Sequence, residues 1–337
     1  MRLKDIAQIA GVSIKTVSRA LNNYPDINKE TKEKILSIAK ELHYIPNNAA
    51  KSLRKNRSFT IGLILPDITN IFFGEVGMAV HSFLKKAGYS TLISFSEGDH
   101  QSEIESLDML LSKGVDGIIL ATVGSTGERI KEILNQQHLP LVVIDNEIEN
   151  VKTNIVAHHN FHHAYILTEH LIKQGCTHLG VICGPIGQSS STKRFDGFVS
   201  AMEEYNIPID KQAITHSDWT IDGGRKACEL LLRQTNKKID AIIVSNSLMA
   251  IGVYDVLKQL HIAIPQDIAV ASFDYLDILE VLEPPLTTFS KTDSIIGELA
   301  AKVLLNTINA PLTDDISYKL VTAELKVRES SMRNVSV

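Results

Sequence analysis

From Phe59 onward, apolar runs of strand length alternate with segments of helical spacing: TIGLILP, STLISFS, DGIILAT and LPLVVID, then HLGVICG, DAIIVSN and IAVASFD. A nearly continuous Ile/Val/Leu run has no polar face to give to water. Each strand therefore needs cover on both sides, a condition met in the parallel sheets of α/β units. The runs are too many for one small sheet, and they divide near residue 158 into two successive sets. This predicts an α/β module of two doubly wound parallel-sheet lobes with a cleft between them. Ligands in such sheets bind beyond the carboxyl ends of the strands, so the residues at those ends carry the functional information.

Asp67, Asn70, Phe72 and Phe73 follow the first run, and Asp145 ends the fourth. HLGVICG leads to Ser189, Ser190 and Arg194, Asp218 and Trp219 precede a helical stretch, and the last two runs end in Asn246 and Asp274. Carboxylates, amides, an arginine and the single tryptophan suit a polyhydroxylated ring: polar groups take the hydroxyls while an aromatic face covers the C–H side. Each also has a plainer use, with Phe72, Phe73 and Trp219 as core and the acids as caps of the helices that follow.

The first 57 residues have a different character. They hold 12 Lys and Arg against 5 acids, or +7, so the remaining 280 carry −12 of the total of −5. A small basic unit before a large acidic one is the charge footprint of a partner that is a polyanion, although basic faces are also often merely solvated. Ile6, Ile9 and Ala10, then Val17, Ala20 and Leu21, then Ile35, Ile38, Ala39 and Leu42 recur at helical spacing, predicting three short amphipathic helices. Gly11 stops the first, Ser13 caps the second over about 14–22, Pro25 breaks the chain and Asn28 caps the third. The result is a helix-turn-helix, whose second helix would bring Ile14, Lys15, Ser18 and Arg19 into a major groove. There Arg19 can fork onto guanine and Ile14 can meet a thymine methyl. The same spacing also serves a three-helix domain that binds protein.

Between Pro46 and Arg57 there is one large apolar side chain, Leu53, among small and basic ones, and such a segment cannot bury a core alone. Pro46, Ala49, Ala50 and Lys51 favour a short helix formed against a partner. Leu53 flanked by basic residues has the composition of a minor-groove wedge; a solvated linker with an idle leucine is the alternative.

The runs LKDIAQIAGVSIKTVSRALNN, ELHYIPNNAAKSLR, IGLILPDITNIFF, GPIGQSSSTKRFDGF, ASFDYL and PPLTTF resemble, over essentially the whole chain, the bacterial lac/galactose repressor family of transcription regulators. The resemblance implies a helix-turn-helix domain at 1–45 and a hinge helix at 46–57. It implies a periplasmic-binding-protein-like effector module with an N-lobe (58–157 plus about 286–315) and a C-lobe (158–285 plus about 316–330). Ile14, Lys15, Thr16, Ser18, Arg19 and Asn22 would then face an operator, with Asn47, Ala50, Leu53 and Arg54 in the hinge and Leu53 wedged at the centre of a palindrome. Asp145, Arg194, Trp219, Asn246 and Asp274 match the sugar-contacting positions, Phe72 and Phe73 match the aromatic pair of purine-responsive relatives, and Asp67 and Ser190 complete the expected effector set. The implied partners are double-stranded operator DNA, a second copy of the chain, and a sugar or sugar phosphate, with a nucleobase or nucleoside as the alternative effector. Lys193 beside Arg194 is compatible with a phosphate. The end KVRESSMRNVSV lacks leucine heptads, which favours a dimer over a tetramer. Departures from the family pattern are Arg2 in place of a capping threonine, His159 in place of an aspartate, and Ser247 and Ser272, which make the pocket atypical.

Other classes find less support. At 44% hydrophobic and 22% charged, the composition is that of a globular chain, and no apolar run reaches the length that spans a bilayer. No secretory signal is recognisable at the start, so a cytoplasmic protein is expected and not a transporter's solute-binding protein. Cys176, Cys183 and Cys228 form no CxxC pair and read as buried thiols. His158/His162 and His159/His163 sit at i, i+4, but no third ligand is evident, so neither a metal nor a cofactor is expected. No GxSxG, Walker loop or catalytic triad appears, and an enzyme is not expected.

Overall fold

The structure, a computed structural model, describes residues 2–21, 24–44, 57–124, 127–137, 139–235, 238–310 and 316–333. It comprises two compact units, Met1–Ser58 and Phe59–Val337. Asn22, Asn47, Ala50, Leu53 and Arg54, and with them nearly all of the expected hinge helix, lie outside the described residues.

The first unit contains α1 (Leu3–Ala10), α2 (Ile14–Leu21) and α3 (Lys29–Glu41). Gly11 ends α1 at φ +72°, a left-handed conformation open to glycine at no steric cost, and its N–H closes on the Ala7 carbonyl. Ser13 Oγ accepts the Thr16 amide at 3.1 Å, and Asn28 Oδ1 accepts that of Glu30 at 2.9 Å, so both expected caps form. Arg2 offers no side-chain cap, yet Asp5 accepts its backbone N–H at 2.8 Å and supplies half of a capping box. Ile6, Val17, Ala20 and Ile35 are fully buried at the centre. The stripe on α1 is Ile6, Ala7 and Ala10; Ile9, expected inside, is 57% exposed because the small Ala7 faces the other helices instead.

In the second unit the N-lobe sheet has, among the described residues, six parallel strands. They are β1 (Thr60–Leu65), β2 (Ser90–Phe95), β3 (Gly117–Ala121), β4 (Leu141–Ile144), β5 (Asn154–His158) and β11 (Tyr318–Val321), ordered β11-β5-β4-β3-β1-β2. Helices α4 (Ile71–Lys86) and α11 (Asp293–Asn309) cover one face through Val76, Val80, Ile296 and Leu304. Helices α5 (His100–Ser112) and α6 (Gly127–Gln137) cover the other through Leu107, Leu110, Ile130 and Ile133. β2 departs from the two-sided pattern: as an edge strand it leaves Ile93 and Phe95 exposed.

The C-lobe sheet, β7-β6-β8-β9, is also parallel: β6 (Leu179–Cys183), β7 (Ile214–His216), β8 (Ala241–Val244) and β9 (Ala269–Ser272). It packs between α7 (Asn160–Lys173) with α8 (Ser189–Glu204) and α9 (Ile221–Gln234) with α10 (Ser247–Gln259). A short antiparallel pair, β10 (Thr288–Phe289) with β12 (Leu325–Lys326), lies against this lobe through Phe289 and Leu325.

The chain crosses between the lobes near 158–160, 290–292 and 322–324. The expected lobe boundaries are corrected at two places. Residues 316–321 belong to the N-lobe, because β11 pairs in parallel with β5 from Tyr318↔Ile155 to Val321↔His158. Residues 286–289 belong to the C-lobe, where Leu286 and Phe289 are buried in its cores.

Candidate functional site

Phe72, Phe73, Asp145, Ser190, Arg194, Trp219, Asn246 and Asp274 line one cavity between the lobes, joined by Asn70 and His158. Strand ends and helix starts converge there because both sheets point their carboxyl edges at the cleft. Asp67 is the exception. It is exposed, does not line the cavity, and folds onto its own turn, accepting the Thr69 amide at 2.7 Å and the Thr69 hydroxyl at 2.6 Å.

Arg194, in the first turns of α8, is 6% exposed and is the electrostatic centre. Nε donates to Asn160 Oδ1 at 2.8 Å, Nη1 to the Ser245 carbonyl, and Nη2 to Asp274 Oδ1 at 3.4 Å. Its guanidinium lies 4.6 Å from the Phe273 ring centroid and 5.8 Å from that of Trp219. Such a set of partners makes a buried guanidinium tolerable and fixes its direction.

The two carboxylates are poorly paired. Asp145 is pushed up to about 6: loss of water outweighs the pull of Arg194, and Asp274 adds repulsion. Burial also raises Asp274, with Arg194 opposing. Asp145 sits at φ +66° and Trp219 at φ +70°, the left-handed region that a bulky side chain enters only at a cost of about 1–3 kcal/mol. Trp219 is held by its indole N–H donating to Gln188 Oε1 at 2.7 Å. A Cβ at position 184 would lie 2.0 Å from the indole ring, so Gly184 is bare to admit it.

Asn246 is partly committed already, its Oδ1 capping α10 at Met249 N (2.9 Å) and its Nδ2 donating to the Trp219 carbonyl at 3.0 Å. Phe72 and Phe73, 8% and 9% exposed, meet edge to face at 4.9 Å and 64°. They are core and cavity wall at once.

Beside the cavity, the lobes are hydrogen-bonded across the cleft. Glu147 N donates to Ser189 Oγ at 2.7 Å and Ser190 N to Asn146 Oδ1 at 3.0 Å. Lys193 pairs with Glu147 and donates to the Tyr318 hydroxyl at 2.9 Å, which in turn donates to Glu147. The ammonium that the sequence offers to a phosphate is thus turned to an acid of the opposite lobe.

The histidines separate by role. His158 and His163 point inward and are held neutral, each lowered to about 3 chiefly by burial and then by Arg194. His163 accepts the Ala323 amide at 3.0 Å and stacks on Phe289, while His162 is exposed. Among the described residues no group of three His, Cys, Asp or Glu could hold a metal ion. Burial raises the Cys183 and Cys228 thiols to about 12. No helix among the described residues is long and apolar enough to cross a membrane.

On α2, Ile14 is 48% exposed and Lys15 is exposed, while Thr16 Oγ1 lies 2.9 Å from Ser13 Oγ. Ser18 and Arg19 are half-buried. Arg19 is already engaged: Nε donates to Asp26 Oδ1 at 3.2 Å, Nη2 pairs with the second oxygen, and the guanidinium lies 5.0 Å from the Tyr24 ring centroid.

A helix-turn-helix unit joined in one chain to two α/β lobes around a polar cavity defines a DNA-binding regulator that answers to a small ligand. Residues 2–47 match the model of the bacterial regulatory proteins, lacI family, and residues 168–331 that of a periplasmic binding protein-like domain. The ribose operon repressor of Halalkalibacterium halodurans is 32% identical, over 98% of this chain and 96% of its own. The HTH-type transcriptional repressor PurR of Glaesserella parasuis is 31% identical, over 99% of each. The fold is shared with the lac repressor dimer bound to operator and the anti-inducer ONPF, at a TM-score of 0.89 and 23% identity over 99% of each chain. The chain belongs to the lacI family of bacterial regulatory proteins and is a DNA-binding transcriptional regulator.

Proposed function

We propose that this regulator binds a palindromic operator as a homodimer in the cytoplasm, and that its effector is an uncharged monosaccharide, with ribose the first candidate. On this reading it acts by binding and not by catalysis. Ile14, Lys15, Thr16, Ser18, Arg19 and Asn22 face the DNA, and Asn47, Ala50, Leu53 and Arg54 act in the hinge. The names of the relatives divide between a sugar operon and a purine repressor, so the choice rests on the chemistry of the cavity. The observation that carries the choice is its charge: the described lining residues include one guanidinium and two carboxylates, and the neighbouring Lys193 is spent on Glu147. A phosphate would meet two acids with one arginine to answer them. Hydroxyls, by contrast, give acids the protons they accept. A purine needs a flat slot, which the edge-to-face Phe72 and Phe73 do not form between them.

Calorimetric titration of the purified chain tests this. Ribose binds, ribose 5-phosphate binds far more weakly, and hypoxanthine and guanine do not compete. Saturable binding of a purine base, or preference for the phosphate, would reverse the assignment.

A further inference from the structure

His158 lines the cavity in a way that none of the roles above explains. It closes β5 at the first lobe crossover, is nine-tenths buried, and packs beside Phe72. Its Nε2 lies 2.9 Å from Thr292 Oγ1, at the second crossover. Thr292 is 5% exposed and, among the described residues, its hydroxyl proton has no acceptor other than Nε2. With Thr292 donating, the proton of the neutral ring belongs on Nδ1. Nδ1 is buried and has no partner among the described residues.

Much of the donor capacity of the cavity wall is already engaged, leaving the Asn70 amide, the Ser190 hydroxyl and two N–H of Arg194 beside the His158 ring. Arg194 directs its three nitrogens to Asn160, Ser245 and Asp274, Asn246 donates to the Trp219 carbonyl, and Trp219 donates to Gln188. Asp145 and Asp274 only accept when ionised. A sugar ring presents oxygens that accept, its ring oxygen exclusively so, and an enclosed site has to supply a donor to meet them.

We propose that His158 is a specificity-determining effector contact: its neutral ring donates one hydrogen bond through Nδ1 to an uncharged oxygen of the bound sugar. This rests on the sugar reading above. Thr292 fixes which nitrogen carries the proton, so the contact also ties the bound ligand to both crossover segments. A ligand lacking that oxygen leaves a buried N–H unmet, which is how such a contact selects.

The test compares wild type, His158→Asn and His158→Phe by calorimetry with ribose and its single-deoxy and carbocyclic analogues. The amide of His158→Asn can replace the donor, and the phenyl ring of His158→Phe cannot. His158→Phe loses about tenfold in affinity, the worth of one such hydrogen bond, and His158→Asn stays within about threefold of wild type. One analogue costs the wild type about tenfold and costs His158→Phe nothing further. Equal affinity of wild type and His158→Phe, or equal sensitivity of both to every analogue, overturns the assignment. Should His158→Phe fail to fold, ¹⁵N-histidine spectra of the wild type decide: ribose moves a protonated Nδ1 resonance, and an unmoved one refutes the contact. If the wild type takes up none of the sugars, the sugar reading itself has failed and this inference goes with it, a result visible before any variant is made.

Discussion

Replacing Asp145 with asparagine should strengthen the unliganded fold and weaken the ligand complex at the same time. The carboxyl is buried beside Asp274 and rises from 3.8 to about 6, so near pH 8 it is ionised in a site that disfavours the charge. At about 1.4 kcal/mol per unit, a shift of that size corresponds to about 1–3 kcal/mol of lost stability. Asparagine carries no charge and tolerates the left-handed φ of +66° at this position. A group whose folded-state value is raised contributes its stability below the unfolded value and loses it as pH rises through the folded one. Asp145→Asn is therefore more stable than wild type above pH 6, by an increment that shrinks as pH falls and vanishes near pH 4. Urea unfolding at pH 8, 6 and 4 measures this directly. Ribose affinity falls about tenfold or more in the same variant, because a charge-assisted acceptor is gone. A variant less stable than wild type at pH 8, or a difference that ignores pH, would refute the desolvation argument.

Three further outcomes follow from contacts elsewhere. Gly184→Ala drives a Cβ into the Trp219 ring, so it costs about 1–3 kcal/mol and removes the response of Trp219, the single tryptophan, to added sugar in fluorescence. Glu147→Gln loosens the links to Lys193 and Tyr318 without touching the cavity wall, and sugar affinity in calorimetry drops about threefold to tenfold through loss of the closed form; an unchanged affinity means the link is idle. Asp26→Ala frees the Arg19 fork and removes a negative charge, raising affinity for nonspecific duplex a few-fold at low salt, in line with about 0.2–1 kcal/mol for an exposed pair. A weaker duplex complex in a mobility-shift assay would show instead that Asp26 aims Arg19.

What could be read from the sequence was what depends on long, uniform runs or on a fixed spacing. The buried strands from β1 to β9 that are mostly Ile, Val and Leu announce themselves, as do the caps at Ser13 and Asn28. β5 is not legible, because NIVAH is bounded by polar residues, and His158 therefore shows itself in the sequence only as part of a histidine cluster and not as a residue at a strand end. β11 is an edge strand whose YKLV buries Val321 alone, so periodicity could not assign it to the N-lobe across more than 150 residues of intervening chain. Asp67 looked like Asp145 and Asp274 in following a strand, but Thr69 two residues on captured it in a turn. The partnering of Lys193 with Glu147 and of Arg19 with Asp26 depends on chain geometry that no local pattern encodes.

In a ligand-gated regulator, occupancy of one cavity controls the affinity of another unit for DNA. The direct measurement is operator affinity as a function of ribose concentration, for wild type and for Asp274→Asn, on a palindromic duplex selected by the wild-type chain from a random pool. Gating of DNA affinity by the cavity means that saturating ribose shifts the wild-type affinity at least about fivefold, a typical coupling free energy, and that the same ribose concentrations leave Asp274→Asn unmoved. Ribose that binds the wild type yet leaves its operator affinity constant, or an equal shift in both proteins, would contradict it.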